Sequence, residues 1–283
     1  MRAKQRGETI LSTTTAINSE NGRRWRPAPA IHVSVFLHAA AAVWLAAHPP
    51  AWPWVLGVVA ANHVALFCAA LWPRGRLLGP NLVRLPASAA RRREISLTFD
   101  DGPDPEVTPR VLELLDRYQA KASFFCIGEN AAAQPELVKE ISRRGHSVEN
   151  HSYHHHRAFA FFGISRLRRE VDAAQATVAS ITGRPPVFFR APAGFRSPFL
   201  DPVLAPRGLR YVSWTRRGFD AVSADPRRIL RRLTRGLAAG DVLLMHDSAP
   251  VVLAVLPALL EQLSTRGLKA VSLVSAFASE PGE

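Results

Sequence analysis

The chain has 283 residues and a formal net charge of +13, from 36 Lys+Arg against 23 Asp+Glu. A hydrophobic share of 47% excludes a disordered tail and fits one or two folded domains. Two cysteines, Cys68 and Cys126, are too few for a disulfide scaffold, and so large a positive charge raises a nucleic-acid reading that its distribution must test.

In chain order, the charge comes first. Residues 1–93 carry 12 Lys/Arg and two acids, Glu8 and Glu20, so about three quarters of the excess sits in the first third. Residues 1–30 read as a basic cytoplasmic tail without fixed structure. Arg26 and Arg74 then bracket 47 residues with no Asp, Glu, Lys or Arg. Two apolar runs lie inside, 31–47 and 55–72, split by a turn holding Pro49, Pro50, Trp52, Pro53 and Trp54. A spanning helix needs about 20 apolar residues, and Trp suits the membrane interface. The pattern predicts a transmembrane hairpin over 31–72. A signal peptide has a single apolar core, and the second run argues against it. Buried helices of a soluble core are the other alternative. Basic residues flank both ends and the turn has none, so the positive-inside rule places both ends, and the rest of the chain, in the cytoplasm next to membrane lipids. If only one span is real, the rest of the chain lies outside. His32, His38 and His63 read as interfacial or packed between the helices.

Residues 73–93 read as a basic juxtamembrane linker. From Glu94 the pattern changes. Predicted strands cover 95–99, 122–127, 147–149, 187–190, 211–214, 242–245 and 270–274. Predicted helices cover 109–119, 135–144, 165–182, 226–237 and 251–266. Strands alternating with helices mean an α/β fold with a parallel sheet. About seven strands over 94–277 suit an incomplete or distorted (β/α) barrel, followed by a flexible tail over 278–283. The Arg-rich stretch 227–235 is the best nucleic-acid patch. It reads more simply as the polar face of an amphipathic helix, so no nucleic-acid partner is expected.

Reactive residues of such barrels lie at the C-terminal ends of strands, and the polar clusters fall there. The first strand ends in Asp100 and Asp101, before Gly102-Pro103. The third runs into His151-Ser152-Tyr153-His154-His155-His156, where His151 and His155 have a metal-ligand spacing. The fourth delivers Arg190, able to keep a carboxylate ionised, then Ala191-Pro192-Ala193. The sixth ends in Leu244-Met245-His246. A solvated turn or a His-rich surface loop explains any one cluster. Four on one rim favour a site.

The four clusters, in this order, resemble the polysaccharide deacetylase family, also called the NodB-homology or carbohydrate esterase family 4 domain. Thr98–Gly102 is similar to its TFDDG motif, His151–His155 to H-[S/T]-x-x-H, Arg190-Ala191-Pro192 to R-x-P, and Leu244-Met245-His246 to L-x-H. The resemblance covers about residues 94–275. It implies a metal-dependent amidohydrolase on an incomplete barrel. Asp101, His151 and His155 would hold a divalent ion, zinc above all, with Co, Ni or Mn as alternatives. Asp100 would be the general base, oriented by Arg190, and His246 the general acid. The Ala193 N–H would help bind the oxyanion, with Pro192 and Leu244 beside the substrate. Two motifs depart. Ala193 stands where the family often has an aromatic residue, and the acidic-Trp motif is poorly matched. Asp220, after Trp214, is the candidate partner of His246.

The expected activity is removal of an N-acetyl or N-formyl group from an amino sugar in a polysaccharide or lipid-linked glycan. O-deacetylation and a catalytically idle glycan-binding protein are the alternatives. The sequence leaves the oligomeric state open. Cys126, inside an apolar run, reads as a buried small hydrophobe.

Overall fold

The computed structural model describes residues 22–278. The tails expected over 1–30 and 278–283 lie mostly outside the described residues.

Two apolar helices come first, α1 Pro29–Ala47 and α2 Trp52–Ala70, joined by the 3-10 turn Pro49–Ala51. Both carry Pro in the first turn, where the missing N–H breaks no helical bond. Both are long and apolar enough to cross a membrane. A core helix of a soluble protein would bury its apolar stripe. Here only 6% and 0% of the apolar windows are buried, and Phe36, Trp44, Trp54 and Val64 stand exposed. Asn62 Nδ2 donates to Ser34 Oγ at 2.9 Å, and the His38 and His63 rings meet edge-on at 5.1 Å. The two helices are thus tied by polar contacts.

The remaining elements are α3 Ala87–Arg91, β1 Glu94–Asp100, α4 Val107–Arg117, β2 Ala122–Cys126, α5 Gly128–Ala133, α6 Pro135–Arg143, β3 Ser147–Asn150, α7 Ile164–Thr182, β4 Phe188–Phe189, α8 Asp201–Leu204, β5 Arg210–Tyr211, β6 Arg216–Arg217, α9 Pro226–Thr234, β7 Val242–His246, α10 Val252–Thr265, β8 Lys269–Ala270 and α11 Leu273–Ala278. Seven strands form a curled half-barrel in the order β5-β4-β3-β2-β1-β7-β6, and β8 pairs with the start of β1. Every named pairing is parallel. The expected incomplete α/β barrel is the fold observed.

Several segments differ in detail: the strand expected over 211–214 is the shorter β5, and β6 Arg216–Arg217 lies outside the expected strands. The strand expected over 270–274 stops at Ala270, and α11 follows. Ser272 is the reason: its Oγ accepts the Ser275 N–H at 3.2 Å, as an N-cap does. Residues 73–93 do more than link. Leu82 bridges to Val212 beyond β5, and Arg84 to Asp241 before β7. The segment therefore crosses the gap that the strands leave open, with Leu85 and Ala89 buried.

Strand alternation sorts the core. From β1, Ile95, Leu97 and Phe99 face the layer of α4 and α10, while Ser96, Thr98 and Asp100 take the other face, also buried. On that inner side Phe125, Phe188, Val212 and Val242 pack with Leu273 and Ala276 of α11. The interior is thus apolar at the bottom and polar near the strand ends. Register then levels those ends: Asp100 pairs with His246, Cys126 with Asn150, and Asn150 with Phe189. Asp100 and His246 stand at these pairs, and His151 and Arg190 one residue past them.

Candidate active site

Asp100 is the last residue of β1 and is 4% exposed. Its Oδ1 accepts from Arg190 Nη1 at 2.6 Å. Arg190 is fully buried. Its guanidinium also donates to Thr98 Oγ1 at 2.9 Å, to the Ser213 carbonyl at 3.0 Å and to the Val212 carbonyl at 3.3 Å. It lies over the Phe125 ring at 4.1 Å. A buried charge is tolerable only when paired and hydrogen-bonded, and Arg190 is both. The Asp100 carboxylate is held in one orientation.

Asp101 turns the other way, through a left-handed backbone with φ 72°. Its Oδ1 lies 3.2 Å from His151 Nε2 and 3.1 Å from His155 Nε2. This is the one group of three His, Cys, Asp or Glu ligand atoms within 4.8 Å of one another among the described residues. The His151 Nδ1–H donates to the Arg190 carbonyl at 2.8 Å, which leaves the Nε2 lone pair free, as a metal-ligating His requires. The buried Asp101 Oδ1 has no hydrogen-bond donor among the described residues. Two imidazole nitrogens and one orphaned carboxylate oxygen form a donor set that suits a divalent cation such as zinc. Burial alone would raise the Asp101 carboxyl. The neighbouring His151, His155 and His246 imidazoles instead bring it well below the usual carboxylate range when they carry charge. Burial pushes the His155 imidazole down, helped by His151, which favours the neutral form that ligates metals.

His246 ends β7 with its Nε2 4.0 Å from Asp101 Oδ2. Asp220 grips it twice. Asp220 Oδ1 accepts from His246 Nδ1 at 3.0 Å, and Oδ2 accepts the His246 backbone N–H at 2.7 Å. Burial opposes the charged imidazole, but the Asp220 bond and the nearby carboxylates outweigh it, so His246 keeps its proton to higher pH than usual.

Ala193 is exposed and sits at φ 55°. Its N–H has no hydrogen-bond acceptor among the described residues. Gly194 next to it is required: a Cβ there would meet Trp214 Cη2 at 2.4 Å. Pro192 is buried beneath the mouth, and Leu244 is 1% exposed, its carbonyl accepting the Gly218 N–H.

The structure therefore brings Asp100, Asp101, His151, His155, Arg190, Asp220 and His246 to one mouth. Sequence reasoning missed the groups that hold them. Asn150 Oδ1 accepts the Ser152 N–H, and Ser152 Oγ accepts the His155 N–H. Glu170 on α7 accepts from the Tyr153 and His154 backbone and from the His154 ring. Asp247, fully buried and bonded to Thr108 Oγ1 at 2.6 Å, lies under Gly102, where a Cβ would meet its carboxylate at 2.2 Å. Burial and the neighbouring acids push Asp247 up to about 7. Its place beside His246 was the signal for it. Nothing in the α7 sequence marks Glu170.

The polysaccharide deacetylase family model matches residues 87–212. A peptidoglycan-N-acetylglucosamine deacetylase of Bacillus cereus is 33% identical over 66% of this chain and 69% of its own length. The chain belongs to the polysaccharide deacetylase family. A chitooligosaccharide deacetylase of Azorhizobium caulinodans is 34% identical over 55% of this chain and 74% of its own. The solved Bc1960 peptidoglycan N-acetylglucosamine deacetylase superposes with a TM-score of 0.65 at 29% identity, covering 72% of this chain and 95% of that one. This polysaccharide deacetylase is accordingly a hydrolase of the carbohydrate esterase 4 class, acting on amide bonds, and its mouth matches the strand ends where such barrels place their chemistry.

Proposed function

We propose that this deacetylase removes the N-acetyl, or N-formyl, group from an amino sugar, and does so at a membrane surface to which α1 and α2 anchor it. The observation that carries the reading is the convergence of a clamped base, a three-donor metal site and an Asp-bound His on one rim. Asp101, His151 and His155 would hold the ion. When bound, it supplies Lewis acidity, which polarises a carbonyl and lowers the pKa of a water.

The chain's own residues do the rest. Asp100, fixed by Arg190, takes the proton of the attacking water as its oxygen bonds to the acyl carbon. The free Ala193 N–H donates to the oxyanion that develops. His246, protonated on Nε2 and held by Asp220, gives a proton to the leaving nitrogen as the C–N bond breaks. The products are a carboxylate and the free amino sugar.

The direct test uses the full chain in detergent with an N-acetylated chitooligosaccharide. Acetate release is expected, lost on chelation and restored by zinc. Absence of release under both conditions sinks the reading.

Asp220 supplies a pH prediction. The folded-state raise of His246 keeps the acid protonated, and activity falls as pH rises through its pKa. Asp220→Asn removes the main raising interaction, so the alkaline limb of kcat/KM should move to lower pH. An unmoved alkaline limb rejects His246 as the acid.

The membrane reading favours a lipid-linked glycan precursor over finished polymer. Arg26, Arg74 and Arg76 flank the hairpin at the end that carries the catalytic region, which supports a cytoplasmic active site. A periplasm-only reporter fused at the C-terminus should stay silent, and reporter activity would reverse the orientation.

A further inference from the structure

An apolar groove of about 680 Å³ lies between the helical hairpin and the catalytic rim. One wall is the end of the hairpin nearest the barrel, including Phe67 of α2. The other comes from two loops, 157–161 and 192–199, and carries Phe161, Phe195 and Phe199. These four phenylalanines are 37–73% exposed, although they crowd one place, and Phe67 stacks on Phe161 at 6.3 Å. The walls are tied together: the Arg196 N–H donates to the Ala70 carbonyl at 3.0 Å, and Ser213 Oγ donates to the Pro73 carbonyl. The volume falls in the range of ligand pockets, roughly 300–1,000 Å³.

Both loops start at the chemistry. Arg157 follows His155 by two residues, and Pro192 precedes Ala193. The groove therefore runs from the face of two membrane-competent helices to the mouth that holds the donor set. Its one charged lining residue is Arg157, which is exposed and has no ion-pair or hydrogen-bond partner among the described residues. A hydrocarbon channel that ends in a free guanidinium beside an amidohydrolase mouth has the chemistry of a chain joined to a phosphate.

We propose that this groove holds the hydrocarbon chain of a lipid-linked amino sugar, with Arg157 on its phosphate and the sugar in the site. The inference rests on the deacylase reading and on the membrane seating of α1 and α2. Seating the chain here would lower KM for a membrane-borne substrate and leave the acid–base machinery untouched.

The test compares two substrates with one headgroup: N-acetylglucosamine joined through phosphate to farnesyl, or to methyl. The full chain in detergent should favour the farnesyl compound about tenfold or more in kcat/KM. Ala160→Trp, which fills the groove, and Arg157→Ala, at its lip, should each cut that preference several-fold, mainly through KM. Hydrolysis of both compounds with a preference that neither variant changes overturns the groove and leaves the deacylase reading standing. If neither compound is hydrolysed, the deacylase reading fails, and the groove is judged by a diazirine-bearing farnesyl probe. Labelling of the 157–161 and 192–199 loops, resisted by excess phospholipid, supports it. Labelling elsewhere, or equal competition by phosphatidylglycerol, overturns it.

Discussion

An Asp100→Asn variant should keep its divalent ion and lose turnover, by roughly 10²–10⁴-fold, the usual worth of a positioned general base. The two aspartates are neighbours in sequence, but the turn after β1 sends them to different partners. Asp101 Oδ1 is within 3.2 Å of both imidazole nitrogens. The nearest approach of Asp100 to that cluster is 3.9 Å, between Oδ2 and His151 Nε2, and its Oδ1 is already bonded to Arg190. Asn at 100 keeps the shape and an oxygen for Arg190, but cannot take a proton. His151→Ala removes one of three ligand atoms and should lose both metal and turnover. Metal content of the purified variants and initial rates separate the cases. Asp100→Asn with near-full turnover rejects the base assignment. Asp100→Asn with lost metal makes Asp100 a ligand instead.

Much of this mouth could be read from the sequence, because Asp100, Arg190 and His246 each close a largely apolar run short enough to be a strand. ISLTF before Asp100 and VLLM before His246 mark strands by composition, and parallel registry then brings their ends level. What could not be read is long-range and polar. Thr98 looks like an ordinary strand residue, yet its hydroxyl links Arg190 to the Leu243 carbonyl, accepting at 2.9 Å and donating at 2.7 Å. Glu170 looks like a solvated helix acid until α7 packs it under the histidine loop. Asp220 lacks the family signature, yet its carboxylate bonds the His246 ring. Residues 73–93 read as a linker because their charges suggest solvent. Leu82 and Leu85 instead cross the open edge of the barrel, a pairing that local pattern does not encode.

Arg190→Met should destabilise the protein by about 3–5 kcal/mol, the usual cost of removing one partner of a buried ion pair. Charge and packing make separable contributions here. Met restores part of the volume over Phe125 but leaves Asp100, 4% exposed, without its cation. Three oxygen acceptors, on Thr98, Val212 and Ser213, lose their donors too. If the uncompensated carboxylate is a large part of the cost, adding Asp100→Asn to Arg190→Met should recover about 1 kcal/mol or more, since contacting pairs couple by roughly 0.5–3 kcal/mol. If packing on Phe125 dominates, the double variant will be no more stable than Arg190→Met alone. Urea unfolding of the metal-free chains in detergent measures both, and the metal-free state matters because a bound cation would itself offset the carboxylate. The same cycle bears on mechanism. An Arg190 that only filled space would leave the rate of the folded Arg190→Met enzyme near normal, whereas one that aims the base makes that rate fall toward the Asp100→Asn level.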